Sequence, residues 1–260
     1  MLLQYRLSTR LSFDRPVTDH VFRLRLTPAC DERQRVVRSD IRIQPATPLA
    51  PGIESVWGNR THFGRLDAPH DALVYEAEGI VQTMNRGVSD ADPAGYLAHS
   101  TPLTRPGPAI VALLRRTCLM QLPRDKTLMG TAMHLVHEAF TYTPGLTTVA
   151  TTAEEALASG HGVCQDYSHV LIALLRECGM HARYVSGMMT GIGATHAWVE
   201  AWHEGQWIGL DPTHDAWVDE HYIVMARGAD FSDAAIEHGL FKGSAVQTIT
   251  TTVNVIESND

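Results

Sequence analysis

The sequence predicts an α+β protein in which an antiparallel, β-rich N-terminal region packs on a later core of helices and antiparallel sheet. Two observations carry that expectation. From Leu2 to Val81 apolar and polar side chains alternate in short runs closed by turn-forming residues, whereas beyond residue 108 the apolar spacing becomes helical and then returns to a period of two. Between them, residues 85–108 collect Asn, Gly, Asp, Ser and prolines 93, 102, 106 and 108 with no period, which divides the chain into units 1–100 and 101–260.

The elements follow in order. Leu3, Tyr5, Leu7, Thr9 and Leu11 alternate with Gln4, Arg6, Ser8 and Arg10, and the strand is expected to stop at Asp14, Arg15 and Pro16. Further strands are expected at residues 21–26, 38–44, 55–63 and 71–83, a set that suggests a sandwich or partial barrel. Helical stripes follow at Ile110, Leu113, Leu114 and Thr117, and at Leu128, Met133, Val136, Ala139 and Phe140. Thr152 with Glu155 three residues later is a capping box opening a short helix that Gly160 ends. From Cys164 to Cys178, residues Tyr167, Leu171, Leu174, Leu175 and Cys178 share a helix face, with Gly179 as terminator. Strands are then expected at 181–188, 195–203 and 206–211, with a closing strand at 245–256 after a loop with an amphipathic turn.

Composition removes several classes. With 44% hydrophobic and 19% charged residues, the 260-residue chain has ample material for a core and is not a disordered polypeptide. A net charge of −8 argues against phosphate-neutralising nucleic-acid binding and against electrostatic docking on an anionic membrane. The four cysteines form no CxxC pair, so neither a zinc ribbon nor a dense disulfide framework is indicated. The start, MLLQYRLSTRLSFD, lacks the apolar core of a secretion signal, and no apolar run approaches the roughly 18 residues of a membrane span. A soluble, reduced, cytoplasmic protein is expected.

Three segments concentrate reactive side chains: GVCQDYSH at 162–169, THAWVEAW at 195–202 and LDPTH at 210–214. A thiol becomes a nucleophile at neutral pH when its ionised form is favoured, and the first turn of a helix does this through unpaired N–H groups and the helix dipole. Cys164 occupies such a position, and its own backbone N–H is the natural first donor to an oxyanion; Tyr142 is the candidate for the second. A two-residue turn at Glu204 and Gly205 would pair His203 with Gln206 and bring His196 diagonally opposite Asp211 on one face. Asp211 could then fix the tautomer of His196 and turn its other nitrogen toward Cys164. Each residue alone has a plainer reading: a small buried thiol, a structural imidazole, an Asp-Pro turn. The joint arrangement points to chemistry. Cys178 reads as core packing, and Cys30 and Cys118 have no acid or base neighbours in sequence.

These same segments, together with ARYVSG at 182–187 and FTYTPGLTTVATTAEEAL at 140–157, resemble the core motifs of the transglutaminase-like superfamily, specifically its bacterial cysteine-protease branch. VFRLRLTP and WGN resemble that branch's companion N-terminal region. The resemblance implies a papain-like core with Cys164, His196 and Asp211 as nucleophile, base and orienter. It leaves the substrate open, and the Gly-rich GMMTGIGATH at 187–196 lies where substrate-contacting loops vary.

Weaker patterns carry less. HLVHE at 134–138 sets His134, His137 and Glu138 on a helix without the HExxH or HxxEH arrangement of a metallohydrolase, so no metal is expected there. SDAD at 89–92 lacks the Gly and distal Glu of a calcium loop, and no phosphate-binding Gly-rich loop is present. Trp198, Trp202 and Trp207 would share the His196 face, as groove lining or as core. The expected function is cofactor-free, cysteine-dependent hydrolysis of a peptide or small amide through a thioester. Transfer to an amine, or a non-catalytic binding module, are the alternatives.

Overall fold

The computed structural model describes residues 1–90 and 93–258, so Ala91 and Asp92 of the SDAD stretch lie outside the described residues. In chain order, β1 (Leu2–Leu24), β2 (Gln34–Gln44), β3 (Ala50–Ile53), β4 (Arg60–Leu66), β5 (His70–Thr83) and β6 (Val88–Ser89) precede α1 (Pro108–Thr117) and α2 (Lys126–Ala139). Then come β7 (Thr141–Tyr142), α3 (Ala153–Ser159), β8 (His161–Gly162) and α4 (Cys164–Glu177). Strands β9 (Ala182–Met189), β10 (Gly191–Gly193), β11 (His196–His203), β12 (Gln206–Asp211), β13 (Ala216–Trp217) and β14 (Tyr222–Gly228) lead to α5 (Phe231–Ala234), β15 (Glu237–Lys242) and β16 (Gln247–Glu257). Among the described residues no helix is long and apolar enough to cross a membrane.

The alternation that starts at Leu3 does not stop at Pro16. β1 continues for 23 residues, because the breaker residues shift its register between Ser12 and Val17 and again between Thr18 and Val21. Pro16 sits in the stretch without a partner on β5, where its missing N–H breaks no ladder bond. The bent strand pairs first with β5 and β16 and then with β4 and β15, within an eight-stranded sheet. Alternate residues Leu3, Tyr5, Leu7 and Leu11 face its core with Leu73, Tyr75, Ala77, Val81, Val253 and Val255. The strand expected at 55–63 is instead a turn closed by Glu54 N–H to the Asn59 carbonyl at 2.9 Å, with Gly58 at φ 70°, followed by β4.

The second layer is built on α4. Its residues from Asp166 to Arg176 are all buried, since α1, α2 and α3 cover one side and β9 and β11 the other. The six-stranded sheet behind it runs β13-β12-β11-β9-β14, with β6 on β12. Strand β14 was absent from the sequence expectation for a physical reason. All seven of its residues are buried, so it shows no alternation to read. Its Ile223 and Met225, with Met188 of β9, insert into the core of the first sheet and join the two layers. After α5 the chain returns to that first sheet as β15 and β16, so the closing strand lies between β1 and β10 rather than beside the helices. The inward side of β15 carries Glu237, Gly239 and Phe241, a mixed set that hides its period.

Candidate active site

The short loop before α4 decides where Cys164 sits. β7 pairs in parallel with β8, Tyr142 opposite Gly162, which lays the Tyr142 strand alongside the entry to the helix. Val163 is the N-cap in extended conformation, and Cys164 is the first helical residue. Asp166, in the third helical position and buried, accepts the Val163 N–H at 2.8 Å and the Thr147 hydroxyl at 2.7 Å through Oδ2. Burial pushes its carboxyl upward, against the pull of those two donors. The backbone N–H of Cys164 has no acceptor within its own helix, as for any first-turn amide.

Gly162 is required by this arrangement. A Cβ there would lie 2.6 Å from the Asp166 Cβ and 2.8 Å from its Oδ2, both parts of a fixed and buried side chain. Gly162→Ala is therefore expected to destabilise the protein by about 1–3 kcal/mol and to slow alkylation of Cys164, as read by denaturant unfolding and iodoacetamide labelling. Unchanged values for both would show that the loop tolerates the methyl.

His196 opens β11 and Asp211 closes β12. Their hairpin turns on Glu204 and Gly205, both at positive φ (49° and 79°), and pairs His203 with Gln206 through to Val199 with Leu210. That register brings His196 Nε2 to 2.7 Å from Asp211 Oδ2. His196 and Cys164 line the same cavity, and Nδ1 is the ring nitrogen that the bond to Asp211 leaves open. Burial alone would favour the neutral ring, but the bond to Asp211, with the neighbouring Cys164, outweighs it and raises His196 to about 10.

The carboxylate of Asp211 is buried and has more partners than the sequence shows. Its Oδ2 also accepts from His214 Nδ1 at 2.8 Å and from the Tyr222 hydroxyl at 2.9 Å, and its Oδ1 accepts the Thr213 N–H at 3.0 Å. Burial opposes the charge, yet the hydrogen bonds from His196 and His214 hold Asp211 well below the usual carboxylate range. The same burial, with Asp211 beside it, pushes Tyr222 far up, so its hydroxyl remains a donor. Sequence reasoning missed both residues. His214 sits in the LDPTH segment, where the Asp-Pro turn was the available clue; Tyr222 lies on the unheralded β14.

His196, Asp211 and His214 each offer a ligand atom within 4.8 Å of the others and are the cluster that could hold a metal ion among the described residues. His134 and His137 are not part of it. His134 Nδ1 bonds Asp215 at 2.8 Å and His137 Nδ1 faces the Pro212 carbonyl at 3.3 Å, so both fasten the 212–215 turn to α2. Trp198 and Trp207 are buried packing residues: Trp198 lies behind His196 with ring centroids 6.2 Å apart, and Trp207 stacks under Arg183 at 4.0 Å. Trp202 donates its indole N–H to the Asp90 carbonyl at 2.7 Å.

Cys164 and His196 open into a cavity of about 370 Å³ between the two layers. Tyr142, Gln165 and Tyr184 line it beside Cys164 and His196, and Tyr142 is half-exposed there. Thr9, Tyr75 and Thr251, from β1, β5 and β16, form the opposite wall. The cleft is thus closed by the first sheet, not by the helical layer alone.

Comparisons with known proteins agree with this architecture. Residues 125–212 match the transglutaminase-like superfamily, and residues 3–82 match the bacterial transglutaminase-like N-terminal region. An uncharacterized protein of Mycobacterium tuberculosis strain H37Rv is 32% identical over 97% of this chain and 92% of its own length. An uncharacterized protein of Mycobacterium leprae is 28% identical over 95% and 96%. Among solved structures, a putative cysteine protease from Cytophaga hutchinsonii shares the fold over all of this chain and 93% of its own, with a TM-score of 0.81 at 16% identity. By family match, full-length relatives and shared architecture, the chain belongs to the transglutaminase-like superfamily.

Proposed function

We propose that the protein is a cysteine-dependent hydrolase of peptide or small amide bonds, working through a thioester on Cys164. One observation carries the reading: a helix-start thiol lines one cavity with an imidazole whose Nε2 is tied to a buried carboxylate. The Cys164 sulfur adds to the carbonyl carbon, and the oxyanion takes the backbone N–H of Cys164 and, in our assignment, the Tyr142 hydroxyl. His196 delivers its proton to the leaving nitrogen as the carbon–nitrogen bond breaks. Neutral His196 then takes a proton from water, whose oxygen displaces the sulfur and releases the acid. Asp211 keeps the ring oriented throughout, with His214 and Tyr222 fixing the carboxylate. Hydrolysis is favoured over transfer because water needs no dedicated amine site.

The test is release of amine and acid from a peptide-amide library across pH. Since folding lifts His196 from an ordinary value near 6.5 to about 10, the ring stays protonated through neutrality. Its charge stabilises the fold below its unfolded value, and that contribution is lost as pH rises through about 10. Amide turnover is expected to fall with a single-proton limb near pH 10, while alkylation of Cys164 continues above it. A limb near 6.5 would remove the coupled pair from the mechanism.

A further inference from the structure

The wall of the cleft facing Cys164 carries a carboxylate that the proposed chemistry does not use. Glu237, the first residue of β15, lines the same cavity as Cys164 and His196. It is part-buried and has no hydrogen-bond or ion-pair partner among the described residues. Other acids of the molecule are matched by cations, Asp211 by His196, Glu200 by two arginines and Glu54 by Arg23 and Arg25, and buried Asp166 is held by the Val163 N–H and the Thr147 hydroxyl. The neighbouring imidazole of His20 does not compensate it. Glu237 Oε1 and His20 Nε2 flank the space left by the missing side chain of Gly239, and burial together with His70 pushes His20 down to about 4, so that ring is uncharged at neutrality. The same wall offers oxygens: the Thr9 and Thr251 hydroxyls bonded to each other at 3.0 Å, and the hydroxyl of Tyr75. Ile236 and Ile249 complete it as apolar flanks.

We propose that Glu237 is the specificity-determining residue of this cleft and selects substrates carrying a primary ammonium, seated between its carboxylate and the hydroxyls of Thr9, Tyr75 and Thr251. An ammonium has three donors and no acceptor, which suits a wall made of oxygens. It also supplies the missing partner to a desolvated carboxylate, whereas an uncharged substrate leaves that carboxylate buried and unpaired. A free α-amino terminus and a lysine-type side chain share this chemistry. The inference rests on Cys164 being the nucleophile.

The experiment uses lysyl vinyl sulfones, to whose vinyl carbon the Cys164 thiolate adds while the adjacent carbon takes up a proton. Four forms are compared on the full chain: unmodified, acetylated on the α-amine, acetylated on the side chain, and acetylated on both. At least one free amine is expected to accelerate labelling of Cys164 by about tenfold to a hundredfold over the doubly acetylated form. The two singly acetylated probes tell which amine is read. Glu237→Gln is expected to bring the ratio to about one. Equal rates in the unaltered protein, or a preference retained by Glu237→Gln, would overturn the assignment. Iodoacetamide separates this from the catalytic reading: rapid alkylation without amine preference defeats only the role of Glu237, and alkylation at the rate of an ordinary thiol defeats both.

Discussion

Cys164→Ala is expected to abolish amide turnover, a loss of about four orders of magnitude or more, with unfolding changed by less than about 1 kcal/mol. The asymmetry follows from position. Cys164 touches the helical core only at its edge and accepts no structural bond from elsewhere, while the capping of α4 rests on Asp166 and Val163. Removing one sulfur therefore deletes the proposed nucleophile and little else. The comparison to make is product release by the purified variant and the unaltered protein, alongside their denaturation midpoints. Turnover by the alanine variant at the unaltered rate would end the proposed mechanism.

Glu200→Gln is expected to cost about 3–5 kcal/mol of stability. Glu200 is buried on β11, on the same face as His196, and receives Arg183 Nε at 2.7 Å and Arg227 Nε at 2.8 Å. Arg227 in turn pairs with Asp31 at 2.8 Å. These arginines hold Glu200 far below the usual carboxylate range, in spite of its burial. A neutral amide would leave two buried guanidiniums short of a counter-charge. The change should appear as a lower denaturant midpoint at constant slope, and labelling of Cys164 should weaken with it because β11 carries the histidine. A midpoint within 1 kcal/mol of the original would mean that water reaches the cluster and screens it.

How much of this was readable in the sequence depends on which faces of each element are covered. The hairpin that joins His196 to Asp211 is legible because Glu204 and Gly205 form a two-residue turn at positive φ, which leaves a single register. Helix α4 is legible because one apolar stripe and a terminating glycine bound it, and Gly179 does adopt φ 77°. Tyr222 and β14 are not, since a strand buried on both faces shows no alternation. Nor could the pattern show that Pro16 bends β1 instead of ending it, because only the absence of a facing partner makes that proline harmless. Glu237 is hidden for a related reason. Its distance from the cysteine along the chain is bridged by the return of β15 to the first strand, a fact of topology that no local spacing records.

That return also orders events during synthesis. Ile249 and Thr251 of β16 line the cleft, and β16 lies between β1 and β10 in the sheet. A growing polypeptide that has already released α4 and the β11–β12 hairpin from the ribosome still lacks the Ile249 and Thr251 part of its cleft until residues 247–257 emerge. The lining of the cleft is thus completed last, after the segments that carry the thiol and the imidazole have already been made.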